Sequence, residues 1–192
     1  METKNIMIVG VGGQGTLLTS RILGALFIQE NLDVKLSEVH GMAQRGGSVV
    51  TFVRFGKKVH EPIVEEGCAD ILLSFERLEA LRYLHYLKED GILIVNDQRI
   101  DPMGVITEKE EYPENIFEEL KKHRHFYPVD ALAMAKDLGN VKVFNTIILG
   151  LLSRFLEFSE ESWLKVIRET VPKKTIETNI KAFLWGRKGE QI

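Results

Sequence analysis

Four glycines in six residues, Gly10-Val11-Gly12-Gly13-Gln14-Gly15, stand between the apolar run Ile6-Met7-Ile8-Val9 and the amphipathic stretch Thr16–Ile28. A strand that turns directly into a helix through so little side-chain bulk narrows the possible folds sharply. The spacing of Gly10, Gly12 and Gly15 fits the dinucleotide-binding fingerprint, in which glycines permit a tight turn and bring backbone N–H groups up to a phosphate at a helix N-terminus. The same pattern also serves to pack a helix closely on a sheet, so it does not identify a ligand by itself. The helix that follows carries Leu18, Ile22, Ala25 and Leu26 on one face, the spacing of a segment laid against a core.

A second glycine-bearing segment, Gly41-Met42-Ala43-Gln44-Arg45-Gly46-Gly47, follows the strand Val34–Val39. It places a glutamine and an arginine among glycines where the chain leaves a strand, the side on which open α/β sheets bind ligands. Arginine offers a planar fork for carboxylate or phosphate. The two loops are expected side by side at the carboxyl ends of neighbouring strands, forming one polar surface. Gly12, Gly13, Gln14, Gly15, Gln44, Arg45, Gly46 and Gly47 are its substrate- or anion-binding candidates. Arg45 and His40 are the candidates for chemistry, His40 as a proton relay or as a structural histidine.

Further along, Ser48–Phe55 is rich in β-branched and aromatic residues, and Gly56-Lys57 predicts a hairpin turn toward Lys58–His60. Asp70–Phe75 and Gly91–Asn96 are buried strands, with a helix through about Leu87 between them. Phe126–Val129 is a last edge strand, preceded by a short helix at Asn115–His123. Asp130 and Ser159 stand where helix N-caps belong, and the apolar stretch Val141–Leu156 reads as a buried helix. The alternation predicts an α/β fold: a doubly wound, largely parallel, Rossmann-like sheet in one domain over residues 1–192, with a helical C-terminal portion from about residue 130.

Composition limits the function. A net charge of −3 with no basic stripe excludes a general nucleic-acid binder. No apolar stretch is long enough to span a bilayer and no signal segment opens the sequence, so a cytoplasmic protein is expected. The single cysteine, Cys68, excludes an internal disulfide and a cysteine-ligated iron–sulfur cluster held by this chain, and is read as an inert thiol. His123-Arg124-His125 lacks a third spaced ligand, so no metal site is expected. Glu89-Asp90-Gly91 opens like a thiamine diphosphate–magnesium motif but is read as a turn between a helix end and a strand.

Gly10–Gly15, Glu38–Val49 and the closing Asn179-Ile180-Lys181-Ala182-Phe183 together resemble the gamma-type subunits of 2-oxoacid:ferredoxin oxidoreductases, most specifically the indolepyruvate group. The resemblance runs through nearly the whole chain. It implies a subunit, inactive alone, of an enzyme that oxidatively decarboxylates aryl pyruvates to acyl-CoA and reduces ferredoxin. Thiamine diphosphate, magnesium and iron–sulfur clusters would reside in a larger partner subunit, with coenzyme A as co-substrate. Two other readings of the same residues stand beside it. One is a self-contained NAD- or FAD-binding oxidoreductase, with Glu38 as the ribose-binding acid. The other is a non-catalytic scaffold whose glycine loops only pack against a partner.

Overall fold

Strand residues of alternating parity point to opposite faces of a pleated sheet, and this chain fills both. The computed structural model describes residues 2–41 and 46–189. Its elements in chain order are β1 (Lys4–Val11), α1 (Thr16–Gln29), β2 (Asp33–His40), β3 (Ser48–Gly56), β4 (Ala69–Ser74), α2 (Arg77–Arg82), β5 (Leu87–Asn96), α3 (Met103–Ile106), α4 (Ile116–Leu120), β6 (Phe126–Val129), α5 (Ala131–Asp137), α6 (Phe144–Leu152), α7 (Glu160–Thr170) and α8 (Ile176–Lys188). Ile6 and Ile8 of β1, Ile71 and Leu73 of β4 and Ile94 of β5 face a core built with α1 and α5 to α8. Met7, Val9, Leu72, Leu93 and Val95 face a second core with α2 and α4. The sheet is therefore covered on both sides, and the helical C-terminal third thickens one side only.

The strand order is β2-β3-β1-β4-β5-β6. β1, β4, β5 and β6 pair in parallel, while β3 runs antiparallel to both β1 and β2. The expected doubly wound α/β sheet is present as a mixed sheet in which β3 reverses. Pro128 sits in the edge strand β6, where a missing backbone donor is tolerated. The expected caps form: Asp130 Oδ1 accepts from Ala133 N at 2.9 Å and Ser159 Oγ from Ser162 N at 3.0 Å. Among the described residues no helix is long and apolar enough to cross a membrane.

Three local expectations are corrected. The hairpin from Ser48–Phe55 to Lys58–His60 does not form, because β3 already has β1 on one edge and β2 on the other; Val59 N donates instead to Asp33 Oδ2 at 2.8 Å. The helix through Leu87 stops at Arg82, where a 3₁₀ turn over Leu84–Tyr86 feeds Leu87 into β5. The stretch Val141–Leu156 is the helix α6 flanked by two 3₁₀ turns.

Candidate functional site

The carboxyl ends of the parallel strands β1, β4 and β5 lie side by side at one end of the sheet. The first glycine loop stands there. Gly13 and Gly15 take φ of 101° and 90°, left-handed values that any side chain would strain. Gly12 N donates to Gly47 O at 2.9 Å, extending the β1–β3 ladder beyond the Val11–Ser48 pair. One of the amides expected to face an anion is thus spent on joining the two glycine loops. Gly13 is exposed and a Cβ there would meet nothing. Helix α1 opens after Gly15 without a side-chain cap and without an acid in its first turn, leaving the positive end of its dipole uncompensated.

Gln14 points the other way. It is 6% exposed; its Oε1 accepts from Val11 N at 2.7 Å and its Nε2 donates to Phe75 O at 2.9 Å and to Gln98 Oε1 at 3.0 Å. Asn96 completes the network, donating to Phe75 O at 3.1 Å and accepting from Ala131 N at 3.1 Å. This amide laces β1, β4 and the β5 end together. A Cβ on Gly10 would lie 2.9 Å from Gln14 Oε1 and 3.0 Å from Phe75 Cβ, so Gly10 is glycine to let Gln14 in. Gln14 holds the loop's shape and does not present its amide outward.

The second loop departs from the expected arrangement because β3 lies between β2 and β1. The loops touch through Gly12 and Gly47, at the start of β3, and not through adjacent ends of β1 and β2. Gly46 has φ of 80°; Gln44 and Arg45 lie outside the described residues. Glu38 and His40, near the end of the outermost strand, sit two strand spacings from β1, about 10 Å. His40 Nδ1 is 3.7 Å from Glu38 Oε1 with the imidazole half exposed. A ribose-binding acid belongs on the strand beside the glycine loop, a place that β3 takes here.

Several polar residues of this edge carry no signature in the sequence. Glu76, immediately after the apolar run of β4, is 1% exposed and accepts from Glu79 N at 2.9 Å, Ile100 N at 3.2 Å and Tyr112 OH at 2.8 Å. Burial, and next the bond to Glu76, push the Tyr112 phenol far above its ordinary range. Glu79, 4% exposed, accepts a very short hydrogen bond from Ser48 Oγ and is paired with Arg82 Nε at 3.2 Å. Burial raises its carboxyl above the usual value, partly offset by the Ser48 bond. Ser48 therefore ties the end of the second glycine loop to α2. Arg77 pairs with Asp97 and lies over the Phe117 ring, while Arg99 lies over Tyr112 at 4.2 Å. Apart from Glu76–Glu79 and Glu79–Arg82, which are three residues apart, these contacts join residues distant in sequence, and only the acid that follows a buried strand hints at any of them.

Metal and cofactor donors are sparse. Among the described residues no group of three or more His, Cys, Asp or Glu side chains is arranged to hold a metal ion, and one cysteine cannot ligate a cluster. A cavity of about 450 Å³ lies at the opposite edge of the sheet, lined by Ile6, Phe55, Ile71, Phe155 and Phe158, far from the glycine loops.

Comparison with known proteins agrees with this architecture. Residues 5–189 match the family described as pyruvate ferredoxin/flavodoxin oxidoreductase. The chain is 42% identical to the indolepyruvate oxidoreductase subunit IorB of Thermococcus kodakarensis, covering 98% of this chain and 96% of that one. The fold is similar to the keto/oxoacid ferredoxin oxidoreductase gamma subunit of Geobacter sulfurreducens PCA, with a TM-score of 0.72, 25% identity and 96% of each chain covered. It also matches, at 19% identity and a TM-score of 0.78, 32% of the length of a 2-oxoglutarate:ferredoxin oxidoreductase chain from Magnetococcus marinus, whose structure holds 2-oxoglutarate, coenzyme A and succinyl-CoA; that match covers 100% of this chain.

Proposed function

The chain belongs to the pyruvate ferredoxin/flavodoxin oxidoreductase family, and from that premise we propose that it is the smaller subunit of an indolepyruvate-type 2-oxoacid:ferredoxin oxidoreductase. The assembled enzyme oxidatively decarboxylates aryl pyruvates such as indolepyruvate, joins the acyl group to coenzyme A and passes the electrons to ferredoxin. The observation that carries this reading is the 42% identity to an IorB subunit across 98% of the chain. Among the described residues no group of three or more His, Cys, Asp or Glu side chains is arranged to hold a metal ion and one cysteine cannot ligate a cluster, which supports assigning thiamine diphosphate with its magnesium and the iron–sulfur clusters to a larger partner. Thiamine, bound there, would supply the electron sink that decarboxylation of a 2-oxoacid needs.

This subunit's own residues close the site, exclude water and orient an anionic group. Gly13, Gly15 and the first turn of α1 offer open N–H groups, Gln14 fixes the loop that carries them, and Arg45 supplies a bidentate fork from the second loop. The displacement of Glu38 by one strand disfavours a self-contained NAD or FAD site.

The test is steady-state reduction of ferredoxin or viologen by the complex reconstituted with its larger partner. Indolepyruvate should be turned over in preference to pyruvate and 2-oxoglutarate. Arg45→Lys, which keeps the charge and loses the fork, should lower turnover about tenfold while gel filtration shows intact assembly. Wild-type turnover by an intact complex carrying Arg45→Ala would remove Arg45 from the chemistry and favour the scaffold role. Preference for another oxoacid would move the substrate class.

A further inference from the structure

Three isoleucines stand in a row across adjacent strands near the amino ends of β1, β4 and β5. Ile6 is in register with Ile71, and Ile71 with Ile92. Phe55 of β3, opposite Lys4, lies on the same face, since Lys4 and Ile6 are two residues apart on one strand. Over this floor the chain crosses from α6 to α7 through residues 155–158, and aromatic contacts pin the crossing at both ends. The Phe155 ring lies 4.6 Å from that of Tyr127, and the Phe158 ring lies 5.7 Å from Phe27 and 6.4 Å from Phe55. Phe55 is itself stacked on Phe27 at 3.8 Å. A strap held at both ends cannot settle onto a floor of stiff, β-branched side chains. The cavity of about 450 Å³ is the space left between them, and it has the size of small-molecule sites.

The mouth of this apolar space is charged. Lys4, Asp70, Asp90 and Glu157 line it, one cation against three carboxylates. Asp70 is already occupied: it accepts from Asn5 N at 2.8 Å and from Lys88 Nζ at 2.7 Å, and lies 3.6 Å from Lys4 Nζ. Asp90 and Glu157 are exposed, and among the described residues neither forms an ion pair. We propose that this cavity binds an amphipathic cation, an arylalkyl primary amine whose ring enters among Phe55, Phe155 and Phe158 and whose ammonium group stays at the mouth beside Asp90 and Glu157. Each part of the ligand answers one part of the site. The phenyl rings of the lining favour another ring in stacked or edge-on contact, and the surplus of carboxylates favours a cation and repels an aryl carboxylate of the same shape. The site uses none of the glycine-loop residues, so its failure would leave the function proposed above untouched.

The test is isothermal titration of the full chain at neutral pH with 2-phenylethylamine, 3-phenylpropionate and ethylamine. The first two share one body and differ in the sign of the charge; ethylamine keeps the charge and lacks the ring. Only 2-phenylethylamine should show a single saturable site, with ethylamine weaker by on the order of tenfold or more for want of the buried ring. Asp90→Asn and Glu157→Gln, both at exposed positions, should each weaken the amine about 2- to 5-fold. Ile92→Phe fills the cavity from its floor and should abolish binding, with thermal melts establishing that the variant is folded; if it does not fold, the two charge variants decide. Equal affinity for the amine and the carboxylate would overturn the ligand class. Undiminished binding by folded Ile92→Phe would overturn the location, and no saturable binding of the amine would overturn the proposal outright. The titration is repeated on the chain reconstituted with its larger partner, where binding should persist. An amine expelled by assembly would mark the cavity as the seat of a partner side chain and overturn the proposal as well.

Discussion

The crossing of α6 and α8 holds Thr146 against Asn179, and two glycines make it possible. A Cβ on Gly150 would overlap the Phe183 carbonyl oxygen and come within 2.9 Å of Arg187 N; one on Gly186 would overlap the Ile147 carbonyl. The colliding atoms are backbone, so no rotamer change relieves them, and the helices would have to separate by on the order of 1 Å to restore van der Waals distances. Helix propensity favours alanine over glycine by about 1 kcal/mol, whereas overpacking costs about 1–3 kcal/mol and more where backbone is struck. We therefore expect Gly150→Ala and Gly186→Ala each to lose about 2–4 kcal/mol, and at this chain length to lower Tm by about 5–15 °C. The pair should be less than additive, because helices already parted admit the second methyl easily. Gly24→Ala in α1 is the control: its Cβ would meet only Leu36 Cδ1, at 3.0 Å, the free end of a side chain that is 44% exposed and can swing aside. That variant should be neutral or up to about 1 kcal/mol more stable. Circular-dichroism melts decide the matter. If Gly150→Ala and Gly186→Ala melt within a degree or two of wild type, the close crossing is not what these glycines provide.

Three further outcomes follow from the buried polar groups. Because burial raises the folded-state Glu79 carboxyl above its unfolded value, its contribution to stability is full below the unfolded value and is lost as pH rises through the folded one. Glu79→Gln should flatten the fall in urea midpoint from acid toward neutral pH, and an unchanged slope would contradict the assignment. Glu76→Ala leaves the Glu79 and Ile100 amides and the Tyr112 hydroxyl without their acceptor, a loss of about 3–9 kcal/mol at about 1–3 kcal/mol for each orphaned group. It should also let Tyr112 ionise at lower pH, read by ultraviolet absorbance during alkaline titration; an unmoved phenol would mean that burial alone holds it. The raised Tyr112 stabilises the fold below the ordinary phenol range and ceases to do so as pH climbs beyond it. Gln14→Ala should cost about 1–3 kcal/mol by stranding Val11 N, Phe75 O keeping the bond from Asn96, and a change under about 0.5 kcal/mol in stability from urea melts would deny its role as the loop's strut.

What could be read from the sequence was whatever lies in local periodicity. The strand run Ile6–Val9, the amphipathic Thr16–Ile28 and the caps at Asp130 and Ser159 are each specified by residues within one or two turns of each other, and they stand as expected. The insertion of β3 between β1 and β2 was not legible, because Ser48–Phe55 would form an equally good strand in any pairing. Its place is fixed by which edges are vacant once the other strands have paired. Long-range polar contacts were equally silent: nothing in the local pattern at Asn145 or Asn179 announces that they meet through Thr146, 33 residues from Asn179. The closing Asn179–Phe183 segment carried only a family likeness. Its physical content is now specific, since Asn179 Oδ1 accepts from Thr146 Oγ1 of α6 and Phe183 presents the carbonyl that Gly150 must clear.

The first glycine loop shows why a motif of this kind resists a single reading. Packing and ligand approach both demand small residues, and here the two demands are met by different glycines of one run. Gly10 is crowded by Gln14 and Phe75 and serves packing, while Gly13 opens onto empty space and serves neither neighbour. Gly12 spends its amide on Gly47, fixing the second loop. Gly15 combines a left-handed backbone with close packing, since a Cβ there would overlap the Asn145 side-chain amide of α6. Gln14 fills the space between the ends of β1 and β4, bonded to Val11 N and Phe75 O. The last glycine of the run is thus the one packed against α6.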